Sequence, residues 1–125
     1  MKKKKILLVE DEEDLNVVFN MVLEDGGYEV DCFTEPKVAL KNFKAGFYDL
    51  IILDIKMPEM DGFELHKQLK KIDNTVKICF LTASEMYYEE YRKEEFFGLD
   101  KELFLRKPIK NEDLLTEINR MISSN

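Results

Sequence analysis

Apolar residues in this chain follow two rhythms. Short unbroken runs, Ile6–Val9, Leu50–Leu53, Ile78–Leu81 and Leu103–Leu105, alternate with longer stretches whose apolar residues recur at helical spacing. The runs read as β-strands and the spaced stretches as helices. Leu15, Val18, Phe19 and Val22 form the first helical face, and Gly26-Gly27 ends it, where a residue tolerant of positive φ is needed. Tyr28–Phe33, mixed and β-prone, predicts a less buried edge strand. Thr34 and Pro36 open a second helix carrying Val38, Ala39, Leu40 and Phe43, with Gly46 as its stop. Leu65, Leu69 and Ile72 mark a third helix after the turn-rich Lys56–Gly62. Glu85–Phe97 predicts a fourth, whose Tyr87, Tyr88 and Tyr91 suit either packing or a partner face. After Pro108, Asn111 can cap a final helix with Glu112 and Asp113 in its first turn and Leu114, Ile118, Met121 and Ile122 on its apolar face.

Five strand-then-helix units with short connections predict a parallel sheet with right-handed crossovers. The internal runs are apolar on both faces, as a doubly wound α/β sheet covered by helices on both sides requires. Each run stops abruptly at a polar residue: Glu10-Asp11, Asp54, Thr82 and Arg106-Lys107. In a parallel sheet those stops gather at the carboxyl edge, where open α/β sheets bind ligands.

With 125 residues the chain fits one domain, 1–125, and its 45% apolar and 36% charged residues describe a globular protein rather than a disordered one. No apolar stretch approaches the roughly 20 residues of a membrane span. Met1 and Lys2–Lys5 precede only four apolar residues, unlike a secretory signal, so a cytoplasmic protein is expected. Against a net charge of −7, the lysine run reads as a solvated leader and not a nucleic-acid or lipid patch. Cys32 and Cys79 sit in strand candidates without metal-type spacing and are read as small buried apolar residues.

The ordered set Glu10-Asp11, Asp54, Thr82 and Lys107-Pro108, with Met57-Pro58 and Asp61-Gly62 after the central aspartate, resembles the receiver domain of two-component response regulators over the whole chain. The resemblance implies a flavodoxin-like strand order 2-1-3-4-5 with five helices, in which the two cysteines stand too far apart for a disulfide. It further implies that Asp54 accepts a phosphoryl group from a phosphohistidine on a sensor histidine kinase or phosphotransfer protein. Mg²⁺, with Mn²⁺ as an alternative, would be held by Asp11 and Asp54 directly, by Glu10 largely through water, and by the backbone carbonyl of Lys56. Lys107, the Thr82 hydroxyl and the Ala83 backbone N–H would bind phosphoryl oxygens, with Lys107-Pro108 in the cis form. Thr82 and Phe104 would form a coupled switch, signalling through the fourth helix, fifth strand and fifth helix to a protein target. Such a protein modifies itself and is not a turnover enzyme, and it needs no direct contact with nucleic acid or membrane.

Singly, each residue has a simpler role. Acidic residues suit helix N-termini, which covers Glu12, Glu13 and Asp14; Lys107 can be a snorkelling surface charge and Phe104 a core residue. His66, with no second ligand nearby, reads as surface or half-buried. A phosphatase of the haloacid dehalogenase type also uses a strand-end aspartate with Mg²⁺, but it needs an acid two residues on, where this chain has Lys56. A flavin site lacks its phosphate loop after the first strand. The Thr82–Lys107 stretch is longer than usual for the family, and Phe104 stands where a tyrosine is common.

Overall fold

Unbroken runs of Val, Ile and Leu suit a sheet buried on both faces, and the computed structural model, which describes residues 3–83 and 104–123, places them in one. Strands β1 (Lys5–Val9), β2 (Glu29–Phe33), β3 (Leu50–Asp54), β4 (Ile78–Thr82) and β5 (Phe104–Arg106) are all parallel, in the order β2-β1-β3-β4-β5. This is the expected flavodoxin-like order. Every residue of β3 and β4 is buried, whereas β2 is exposed or half-buried along its length, as its mixed composition requires. Cys32 and Cys79 are free thiols, separated by β1 and β3.

Helices α1 (Glu13–Asp25) and α4 (Asn111–Ser123) cover one face, and α2 (Pro36–Asn42) and α3 (Gly62–Ile72) the other. Strand alternation divides the core accordingly. Leu7, Val9, Ile51, Leu53, Phe80 and Phe104 face α2 and α3, while Ile6, Leu8, Leu50, Ile52, Cys79 and Leu81 face α1 and α4. On α3, Leu65 and Leu69 are fully buried, each contributing about 1.5–3 kcal/mol. The helix expected at Glu85–Phe97, with its tyrosines, lies outside the described residues. Among the described residues no helix is long and apolar enough to cross a membrane.

Four local expectations are corrected. The inward row of α1 is Asn16, Phe19 and Leu23, with Leu15 and Val22 on its flank and Val18 39% exposed. Asn16 is drawn inward because its Nδ2 donates to the carbonyls of Glu10 (3.0 Å) and Phe33 (2.9 Å), tying the helix to two strand ends. Helix α2 ends at Asn42, short of Gly46, because Phe43 swings into extended backbone and its ring stacks on Tyr48 at 5.8 Å. On α3, Ile72 is half exposed, since it lies in the last turn beyond the sheet. Helix α4 starts one residue early: the Lys110 carbonyl accepts the Leu114 N–H, so Asn111 is already helical. Gly27, at φ 98, supplies the left-handed turn after α1 that the Gly-Gly pair predicted.

Candidate functional site

The polar stops meet at the carboxyl edge of the sheet. Glu10 and Asp11 follow β1, Asp54 ends β3, Thr82 ends β4, and Lys107 follows β5. Backbone bonds set their positions: Glu10 N–H donates to Phe33 O (3.1 Å), Ile55 N–H to Leu81 O (2.9 Å) and Lys107 N–H to Thr82 O (2.8 Å). Glu10, Asp54, Thr82 and Lys107 are buried, and Asp11 is half-buried. The Lys107-Pro108 peptide is cis, as expected.

One ammonium serves several carboxylates. Lys107 Nζ donates to Glu10 Oε1 at 2.8 Å, stands 3.4 Å from Asp54 Oδ1, and lies 3.8 Å from exposed Glu12 Oε1. The other Glu10 oxygen accepts the Glu12 N–H at 3.0 Å, so this fully buried carboxylate is bound at both ends. Glu10, Asp11 and Asp54 each offer an oxygen within 4.8 Å of the others. Three carboxylates this close repel one another, and a single ammonium offsets only part of that charge. Burial, a proton shared with Asp11 and the Glu10 charge push Asp54 up to about 8, against the pull of Lys107. Burial opposes the charge on Lys107 too, but its bond to Glu10 and the nearness of Asp54 outweigh that and raise it.

This donor set fits a small hard cation. All three candidate ligands are carboxylate oxygens, which Mg²⁺ and Mn²⁺ prefer, and such an ion would offset the crowding of negative charge that raises Asp54. The Lys56 side chain is exposed, leaving only its backbone as a candidate ligand. Two openings flank the cluster. Asp11, Glu13, Glu35 and Glu59 line an acidic cavity of about 400 Å³, and Leu15, Phe19, Ala83 and Ile109 line a more apolar one of about 280 Å³ beside Lys107.

Phe104 is not at the edge. It is buried below it, stacked on Phe80 at 5.1 Å and near Phe63 at 6.5 Å. His66 is half-buried, as expected, with its ring edge against Phe80. The sequence pattern did not single out Asn16, whose signal is a polar residue between Leu15 and Phe19 on the helix that leaves the site; Glu12, read as a charge at a helix N-terminus, is exposed at the N-cap of α1.

Comparisons with known proteins agree with this geometry. The family model for the response regulator receiver domain matches residues 6–119. The response regulator receiver protein CpdR of Brucella abortus is 34% identical, over 95% of this chain and 97% of that protein. Hybrid signal transduction histidine kinase B of Dictyostelium discoideum is 35% identical over 94% of this chain but only 6% of its own length. Against two bacterial regulators the chain spans 50% and 52% of their length. Among solved structures, the non-phosphorylated HemR receiver domain of Leptospira biflexa superposes with a TM-score of 0.84 at 30% identity, covering 98% of this chain and 97% of that one. Receiver domains act as phosphoacceptors in two-component signalling, pair with histidine kinases or phosphotransfer proteins, and bind Mg²⁺ at an acidic pocket. By sequence, fold and site architecture alike, this chain belongs to the response regulator receiver domain family.

Proposed function

We propose that this domain is a phosphoacceptor switch in which Asp54 takes a phosphoryl group from a phosphohistidine on a partner kinase or phosphotransfer protein. The observation that carries the reading is the buried cluster at the carboxyl edge, with the Glu10, Asp11 and Asp54 oxygens within 4.8 Å and Lys107 Nζ 3.4 Å from Asp54. An Asp54 oxygen attacks phosphorus in line as the bond to the histidine nitrogen breaks, and the imidazole leaves with the electron pair. Mg²⁺, or Mn²⁺ in its place, supplies neutralisation of the carboxylates and the incoming phosphoryl oxygens when bound. Asp11, Asp54 and the Lys56 carbonyl would hold it directly, with Glu10 acting largely through water. Lys107, already poised between Glu10 and Asp54, turns its charge to a phosphoryl oxygen; the Thr82 hydroxyl and the Ala83 N–H take another. All are preset on strand ends, so little reorganisation accompanies the transfer.

The output runs through Thr82 and Phe104 to a face that includes β5 and α4, where a protein target binds. The domain is a self-modifying switch with no turnover of an external substrate, and it works in the cytoplasm, where its kinase meets ATP. Incubation with acetyl phosphate and Mg²⁺ adds one phosphoryl group, seen as a single mass increment that Asp54→Asn abolishes. An unchanged mass, where a control receiver domain is labelled, rejects the reading. Steady turnover of p-nitrophenyl phosphate, lost in Asp54→Asn, favours a phosphatase instead.

A further inference from the structure

We propose that Gly62 is a positioning residue for the carboxylate site: its missing side chain lets the first turn of α3 close directly against the backbone of Asp54. An ideal Cβ at Gly62 would lie 2.4 Å from the Asp54 carbonyl oxygen, 3.1 Å from the Asp54 carbonyl carbon and 3.0 Å from Ile55 Cα. All three are backbone atoms at the end of the strand that carries the phosphoacceptor, so no side-chain rotation relieves the contact. Gly62 is the first residue of α3 and does not have a positive φ. The glycine is therefore required for space and not for backbone conformation.

The surroundings leave the contact no slack. Gly62 N–H donates to Ile55 O at 2.7 Å, closing the β3–α3 connection on itself. Inside that loop Met60 N–H donates to Pro58 O at 2.7 Å, with Glu59 in left-handed backbone at φ 69. Asp61 Oδ1 caps α3 by accepting the Glu64 N–H at 2.8 Å, which stiffens the helix end. On the far side, Ile55 N–H is held by Leu81 O. A methyl group at position 62 must push the helix start and the strand end apart by on the order of 1 Å to reach ordinary contact. Asp54 and the Lys56 carbonyl sit on the piece that moves. Mg²⁺ tolerates poor octahedral geometry badly, and a displacement of about 1 Å at a reacting group can cost on the order of 10²-fold in rate.

This inference rests on the phosphoacceptor reading, and its test separates the two. Gly62→Ala is compared in the whole chain with Gly26→Ala, whose added Cβ also meets an atom at 2.4 Å, but that atom is Cδ1 of the Leu115 side chain at the far end of α1. Mg²⁺ affinity is read by calorimetry, labelling by acetyl phosphate is followed by mass, and folding by circular dichroism. Gly62→Ala should stay folded, bind Mg²⁺ at least about ten-fold more weakly and label on the order of 10²-fold more slowly, while Gly26→Ala keeps both properties within about two-fold. Unchanged Mg²⁺ affinity in Gly62→Ala, equal losses in both variants, or a Gly62→Ala chain that does not fold overturns the proposal. A wild type that binds Mg²⁺ but takes no label rejects the phosphoacceptor reading alone, and Mg²⁺ affinity still decides the role of Gly62.

Discussion

Replacing Asp54, the proposed phosphoacceptor, should make the metal-free domain more stable. Asp54 is held at about 8 by burial, its shared proton with Asp11 and the Glu10 charge, whereas in the unfolded chain it titrates near 3.9. At pH 7 folding therefore requires a proton that the unfolded carboxylate has already lost, about three pH units above its own midpoint. That sets a ceiling of about 4 kcal/mol on the penalty. Asn has the same shape and needs no proton. Relaxation of the wild-type edge and the contact with Lys107 that Asn gives up reduce the expected gain for Asp54→Asn to on the order of 1–3 kcal/mol. The sign with pH follows from the raised value: the favourable contribution of Asp54 is whole below about pH 4 and is lost as pH climbs to 8. The advantage of the variant should thus be absent at pH 4 and largest near pH 8. Excess Mg²⁺ should reverse it, since a ligand at a hundred times its Kd adds about 2.7 kcal/mol to the wild type and little to a site short of a carboxylate. Urea unfolding of both proteins at pH 4.5, 7 and 8.5, in EDTA and in Mg²⁺, measures all of this, because other titrating groups cancel in the difference. An Asp54→Asn protein no more stable than wild type at pH 7 in EDTA, or an advantage flat with pH, would falsify the electrostatic account.

Three further outcomes follow from the same coordinates. Lys107→Met leaves the fully buried Glu10 carboxylate without its cation, so it should cost about 3–5 kcal/mol in EDTA and recover much of that in Mg²⁺; a loss under 1 kcal/mol by urea unfolding would mean Lys107 is not structurally paired. His66 is lowered to about 4 by burial, then by Lys70 and Lys67, so the fold binds fewer protons than the unfolded chain between pH 4 and 6.5 and loses stability as pH falls through that window. His66→Gln should remove up to about 3 kcal/mol of that acid sensitivity, and superimposable stability curves for the two proteins would count against it. Phe104→Ala empties a buried ring site stacked on Phe80 and should cost about 3–5 kcal/mol by urea unfolding, a value that a surface-lying Phe104 would not reach.

Much of the architecture was legible because two local signals agreed. Runs such as Leu50–Leu53 had no polar member to face water, so a sheet covered on both sides was the only place for them. Asp54, Glu10 and Lys107 announced themselves by ending such runs. Where reading from residues erred, a long-range demand had overridden a local pattern. The α1 face is the clearest case: Leu15, Val18, Phe19 and Val22 have good helical spacing, yet Asn16 faces inward, where its amide donates to the Glu10 and Phe33 carbonyls. Phe43 likewise belongs to the α2 pattern but leaves the helix for the Tyr48 ring.

By itself, then, the sequence determined a parallel sheet and the edge at which polar groups collect, since both depend on periodicity and on where apolar runs stop, while the order of the strands came from the family resemblance. Only the tertiary structure decided how those groups share charge. Lys107 reaches Glu10 across 97 positions of sequence, burial and two neighbouring carboxylates push Asp54 well above the usual carboxylate range, and Gly62 must lack a side chain because the Asp54 backbone occupies the space. Each is a matter of a few ångströms between residues that no local pattern connects.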